Sequence, residues 1–145
     1  MTFKRETAED LHAESEILDY IADKSGCEWS KLGNGGKYRI DAVMHNNGDV
    51  RAWFEVKDYK RGLFLGLNVP KYLEGCNLAT MTAIPFVFGF RYEGRIGIIK
   101  IHGGGPYEDL TPNLRMAGGT PKGRKPNPDD VEPMYMFNED DVRWM

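Results

Sequence analysis

The dipeptide Asn47-Gly48 constrains this chain more than any other feature. It sits inside residues 38–60, YRIDAVMHNNGDVRAWFEVKDYK. A two-residue hairpin turn needs positive φ at both central positions, which Asn and Gly tolerate, so two antiparallel strands are expected to flank it. Side chains alternate along a strand. The first arm, residues 38–44, then places Tyr38, Ile40, Ala42 and Met44 on one face, with Arg39, Asp41 and Val43 on the other. In the second arm Phe54 and Val56 share a face, and Trp53, Glu55 and Lys57 share the opposite one. Pairing the arms gathers Asp41, Glu55 and Lys57 on one side of a small sheet. Two carboxylates and an ammonium make poor core, because buried charge is costly without partners. The cluster is therefore the candidate site, and the remaining chain is its scaffold.

Around the hairpin the spacing predicts a helix over residues 7–24. Thr7 and Asp10 form a capping-box pattern, and Leu11, Ile17, Leu18, Ile21 and Ala22 make an apolar stripe. Glu14 falls near the middle of that stripe, an unusual place for an acid. Ser25-Gly26 ends the helix, residues 27–32 read as a first strand, and residues 33–36 as a turn. After Lys60 a Gly-rich connection leads to a second helix, capped by Asn68 with Pro70 in its first turn and running to about Thr82. Residues 85–90 and 95–101 form a second hairpin through Glu93-Gly94. The order of helix, three strands, helix and two strands is an α/β domain with a mixed central sheet flanked by helices. The core spans about residues 7–101. A Gly/Pro-rich basic loop follows over residues 102–132, then a strand at 134–137 and a short helix capped by Asn138 and ending at Trp144.

At 145 residues the chain suits one domain with a real core, residues 1–145. Cys27 and Cys76 stand in no metal-ligand spacing and read as packed thiols of a reducing compartment. The first ten residues contain no apolar run, so a cytoplasmic protein without a membrane anchor is expected. Net charge is −3, which argues against simple wrapping by nucleic acid. The distribution is uneven, however. Residues 51–71 carry Arg51, Lys57, Lys60, Arg61 and Lys71 against only Glu55 and Asp58, and Lys122, Arg124 and Lys125 make a second basic stretch. Local basic surface on an acidic protein can still grip a phosphate backbone.

Hard divalent cations such as Mg²⁺ take oxygen ligands, and one or two carboxylates suffice when water and phosphate complete the shell. Asp41 and Glu55 supply such ligands, and the Val56 backbone carbonyl is a candidate third. Lys57 is placed to orient an attacking water or to offset charge on a phosphate, and Glu14 to approach from the first helix as a further ligand or water-binding group. The set suits metal-assisted phosphodiester hydrolysis.

Asp41, a hairpin, then Glu55-Val56-Lys57, with the element order around them, resembles the PD-(D/E)xK nuclease superfamily. The resemblance covers about two thirds of the chain. It implies an αβββαβ core and Mg²⁺-dependent DNA cleavage, with Mn²⁺ able to substitute. It also implies Asp41 and Glu55 as metal ligands and Lys57 in catalysis. Glu14 matches the first-helix glutamate of branches such as Holliday junction resolvases and VRR-NUC nucleases. That likeness implies branched DNA as a substrate and a homodimer as the working unit. Ile40 departs from the pattern, which has proline before the aspartate. Asp58-Tyr59-Lys60 also fits (D/E)xK, but the aliphatic Val56 and the alternation of its neighbours favour Glu55-Val56-Lys57 as the half-buried strand. Small size and the lack of a fused helicase suit a phage or mobile-element enzyme.

Lys60, Arg61, Lys71, Lys122, Arg124 and Lys125 are the candidate phosphate contacts, with solubilising charge as the competing reading. Trp29, Trp53 and Tyr59 are candidates for base stacking or for core. His45 beside Asn46 and Asn47 suggests an HNH nuclease, but the further histidines of that family are lacking. Two other classes stay open. One is a catalytically silent nuclease fold that binds nucleic acid or protein, and the other is a small structural protein with decorative surface charge.

Overall fold

A computed structural model describes residues 8–32, 37–105, 112–118 and 131–145. In chain order these form α1 (Ala8–Ser25), β1 (Glu28–Lys31), β2 (Ala42–Asn46), β3 (Asp49–Tyr59), β4 (Gly66–Asn68), α2 (Val69–Thr82), β5 (Phe86–Tyr92), β6 (Arg95–His102), β7 (Asn113–Gly118), β8 (Val131–Met136), a 3-10 turn (Glu139–Asp141) and β9 (Arg143–Trp144). The main sheet has the order β1-β2-β3-β5-β6-β9, and a smaller one has the order β4-β8-β7. Only the β3–β5 pair is parallel; the other described pairs are antiparallel. A parallel pair needs a crossover, and β4 with α2 supplies it. The fold is thus mixed α/β, with a mixed central sheet flanked by two helices.

Local chemistry explains the frame. Asn47 and Gly48 adopt φ of 52° and 84°, and Glu93 and Gly94 adopt 50° and 74°, so both expected two-residue turns form. Gly26 is left-handed, with Gly26 N–H donating to Asp23 and Cys27 N–H to Ala22, the two bonds of a Schellman stop for α1. Thr7 of the expected capping pair lies outside the described residues. Asn68 Oδ1 caps α2 by accepting from Lys71 N–H at 2.9 Å.

Two apolar layers sandwich the main sheet. α1 buries Ile17, Leu18, Ile21 and Ala22 against Ala42, Met44, Phe54, Val56 and Val87. On the other face Tyr72, Cys76 and Ala79 of α2 meet Trp53, Phe86, Phe88, Phe90, Ile99 and Ile101. Each large aliphatic or aromatic side chain so buried stabilises the fold by about 1.5–3 kcal/mol. Cys27 and Cys76 are both free thiols.

Several expectations are corrected. The first arm was expected to alternate from Tyr38, but regular pairing begins at Ala42. Ile40 packs with Val43 and Trp53 on the α2 side, not with Ala42 and Met44. The cause is Glu74 of α2, whose Oε2 accepts the backbone N–H groups of both Arg39 and Ile40 and bends the chain there. The Gly-rich connection holds β4, because a Cβ at Gly66 would come within 2.8 Å of Met136 Sδ, so this glycine marks close packing as well as a turn. The loop expected over residues 102–132 contains β7. Its apolar residues Leu114 and Met116 are exposed, so burial gives no periodic signal there. The expected C-terminal helix is a single 3-10 turn capped by Asn138, and Trp144 pairs with Gly97 in β9. Packing against Phe90 and beneath Arg95 fixes Trp144 in the sheet. Among the described residues no helix is long and apolar enough to cross a membrane.

The crossover helix lies so close to the sheet that a Cβ at Gly75 would stand 2.2 Å from the Phe86 ring. Gly75→Ala is therefore expected to lower the urea unfolding free energy by about 1–3 kcal/mol, although alanine favours helix by about 1 kcal/mol. Gly62→Ala, with open space around it, should change it by less than about 0.5 kcal/mol.

Candidate active site

Glu55 lies in the middle of β3, which runs between β2 and β5. Alternation turns it to the α2 face, away from the layer that holds Phe54 and Val56. Its side chain is only 3% exposed. Lys71, in the first turn of α2, reaches across to it, with Nζ 2.6 Å from Oε2. The other oxygen, Oε1, is buried and has no hydrogen-bond partner among the described residues. Asp41 immediately precedes β2. Its N–H donates to Phe54 O at 3.1 Å, and its Oδ2 accepts the Val56 N–H at 3.0 Å. This seats its carboxylate beside that of Glu55.

Electrostatics follow from that seating. Burial, and then the Asp41 charge, push the Glu55 carboxyl well above its ordinary 4.5, against the opposing pull of Lys71. Burial works against the Lys71 ammonium, but Glu55, Asp41 and Glu14 outweigh it and hold its proton more firmly than usual. The site is a buried glutamate beside a half-buried aspartate, with one tightly held ammonium.

A cleft of about 520 Å³ opens over it, lined by Asp10, Glu14, Glu55, Val56, Lys57, Asp58, Lys60, Arg61 and Lys71 among others. A smaller hollow of about 170 Å³, between Leu11, Leu18, Trp29, Lys31 and Asp41, shares Glu14 with the cleft. Glu14 is half-buried on α1 and stands where the two meet. A larger hollow of about 610 Å³ lies beside β7 and β8, but its charged members Arg115 and Asp141 are exposed. Water screens such charges, so the acid pair is the better candidate for chemistry.

Asp41 and Glu55 are thus brought together as expected, and Glu14 lines the cleft with Glu55 and the smaller hollow with Asp41. Lys57 lines the same cleft but is exposed, and among the described residues no hydrogen bond or ion pair holds it. Lys57 thus shares the cleft with Glu55 as expected, but the ammonium bonded to Glu55 belongs to Lys71, expected only as a phosphate contact. Val56 contributes its N–H to Asp41 and turns its side chain into the α1 layer. Lys60 and Arg61 are exposed at the cleft. Lys122, Arg124 and Lys125 lie outside the described residues. Trp53 is core, its indole N–H donating to Thr82 at 3.0 Å, and Tyr59 packs edge-on against Phe90. The Trp29 indole N–H donates to Asp19 at 2.7 Å. His102 is structural: Gly104 N–H donates to its Nδ1, and its Nε2 faces Thr80.

Two supporting groups escaped sequence reasoning. Glu74 anchors the backbone just before Asp41, and Arg91 forks onto both Asp58 oxygens while its Nη1 donates to Glu16 at 3.1 Å, tying β5, β3 and α1 beside the cleft. The three-residue spacing of Lys71 and Glu74 on one helix was the available signal; which strand that helix covers was not.

The residues present fit a small divalent cation. Two carboxylates meet, one buried oxygen lacks a donor, and Glu14 stands nearby, although among the described residues no three His, Cys, Asp or Glu side chains converge as a finished ligand cage. Mg²⁺ needs only one or two carboxylates beside water and phosphate oxygens. Compared with protein-family models, curated proteins and solved structures, the chain matches none.

Folding raises the affinity of Glu55 for a proton, so its contribution to stability is fully present below 4.5 and is lost as pH rises through the raised folded value. Glu55→Gln carries no such titration. In chelator-treated protein, the urea midpoint of Glu55→Gln relative to the native chain should climb as pH is raised from below 4.5. Circular-dichroism melts at stepped pH check this, and a flat difference would count against a buried titrating acid.

Proposed function

We propose that the protein is a divalent-metal-dependent DNA endonuclease with a PD-(D/E)xK-like core. The observation that carries the reading is the buried Glu55 carboxylate beside Asp41, with Oε1 lacking a donor. Most buried side-chain oxygens of a folded protein are hydrogen-bonded, so this one is an exception that a ligand would account for. Support also comes from the element order and from the basic residues Lys57, Lys60, Arg61 and Lys71 along the cleft.

Asp41 and Glu55 would hold Mg²⁺ or Mn²⁺, with Glu14 binding through water from α1. Bound there, such an ion supplies Lewis-acid polarisation of a phosphate oxygen and a more acidic water. The chain's own residues do the rest. Lys60 and Arg61 seat the phosphate backbone at the cleft mouth. Lys57, two residues beyond Glu55 on the same strand face, aligns the attacking water and offsets charge growing on the phosphate. Lys71 and Val56 N–H keep the two carboxylates in fixed orientation. A branched duplex cut by a homodimer is the substrate class proposed within this reading.

One observation favours the silent alternative, a nuclease-like fold that binds without cutting. Lys71 already neutralises Glu55 without any metal. Cleavage of linear duplex, single strand, flap and four-way junction in Mg²⁺, Mn²⁺ or chelator separates the two. Metal-dependent cutting is expected, reduced at least about 100-fold by Glu55→Ala and by Lys57→Ala. Binding of the same DNAs without cutting in any metal would select the silent reading.

A further inference from the structure

Resting on the reading just given, we propose that Lys71 determines which divalent cation the acid pair accepts, by leaving Glu55 only one oxygen to offer. Glu55 Oε2 is engaged by Lys71 Nζ at 2.6 Å, and with the Glu55 side chain 3% exposed this charge-assisted bond is shielded from water. Oε1 is buried and has no donor. The two oxygens of one carboxylate are thus unequal: one is taken and one is available.

The backbone that carries Lys71 is fixed. Lys71 stands in the first turn of α2, where its backbone N–H is bound to Asn68 Oδ1 at 2.9 Å. The helix that carries it lies against Phe86 at a distance only glycine permits. Asp41 is restricted in the same sense, since its Oδ2 accepts the Val56 N–H. Each acid therefore has one oxygen already held by a protein donor.

Cations differ in what they ask of such a pair. Ca²⁺ gathers six to eight oxygens at flexible angles and often takes both oxygens of a carboxylate, whereas the smaller Mg²⁺ keeps a strict octahedron with waters in several positions. Mn²⁺ shares the octahedral oxygen preference. One oxygen from each acid, with room for water in the cleft beside Glu55, suits the octahedral ions. The arrangement denies Ca²⁺ the bidentate contact that would complete its larger shell. Repulsion from the ammonium falls on any dication alike, so it cancels when two dications are compared. What remains is the number of oxygens Glu55 can give.

The test is equilibrium calorimetry of Mn²⁺ and of Ca²⁺ with the whole chelator-stripped protein at one fixed pH, without nucleic acid. The native chain should prefer Mn²⁺. Lys71→Met releases Oε2, and the Mn²⁺/Ca²⁺ affinity ratio should fall about tenfold. Lys71→Arg, which keeps a donor on that oxygen, should restore the native ratio. If Lys71→Met does not fold by circular dichroism, Lys71→Leu, which also carries no donor, replaces it. A ratio unchanged in the uncharged variant, with both ions binding more tightly or more weakly together, overturns the selectivity role and leaves the metal site standing. Failure of the native chain to bind Mn²⁺, or Mn²⁺ binding unaltered by Glu55→Ala, overturns the metal-site reading and this inference with it.

Discussion

A carboxylate held out of water in the middle of a sheet is the constraint on which the rest of this structure depends. An ionised acid in that position is expensive unless other groups compensate. Glu55 has a compensating ammonium on one oxygen and a second carboxylate beside it, which adds to the cost. The arrangement makes little sense as a stabilising device, because an apolar residue in β3 would serve the core better. It persists because the fold on either side is strong: aromatic layers beneath α2 and an aliphatic layer beneath α1 offset one unfavourable centre. A well-packed surround is what lets the fold carry such a local cost.

The helices act on the acids from opposite faces. α2 holds both members of the pair, gripping Glu55 through Lys71 and the backbone ahead of Asp41 through Glu74. α1 brings Glu14 to the cleft, and its placement is braced by Arg91, which joins Glu16 to Asp58 at the end of β3. The parallel β3–β5 step is what allows this, because its crossover must return over the sheet face and so carries Lys71 above Glu55.

Much of this was legible in the residues. Asn47-Gly48 and Glu93-Gly94 placed both hairpins, since positive φ at adjacent positions is a local demand that few sequences meet. Alternation along β3 put Glu55 opposite Phe54 and Val56, and the α1 stripe put Glu14 inward. Legibility failed where the deciding contact was distant in sequence. The bend at Arg39 and Ile40 depends on Glu74, thirty-four residues beyond Ile40. The partner of Glu55 is sixteen residues away, while Lys57, two residues away, stays in solvent. Nearness along a strand predicts a shared face but not who fills it. β4 was hidden because a glycine that signals a turn looks the same as one that admits a neighbouring sulfur. Trp53 and Tyr59 looked available for stacking, yet their rings belong to the core, as large apolar surfaces usually do.

The parallel pairing has one more consequence, concerned with time and not geometry. β3 cannot acquire its neighbour until β5 exists, and α2 cannot settle until Phe86 is there to receive it. In a polypeptide emerging from the ribosome the β2–β3 hairpin can bring Asp41 to Glu55 locally, but Lys71 has no settled helix to hold it over Glu55 until Phe86 has been made. The ammonium over Glu55 is thus the last member of the cluster to be seated.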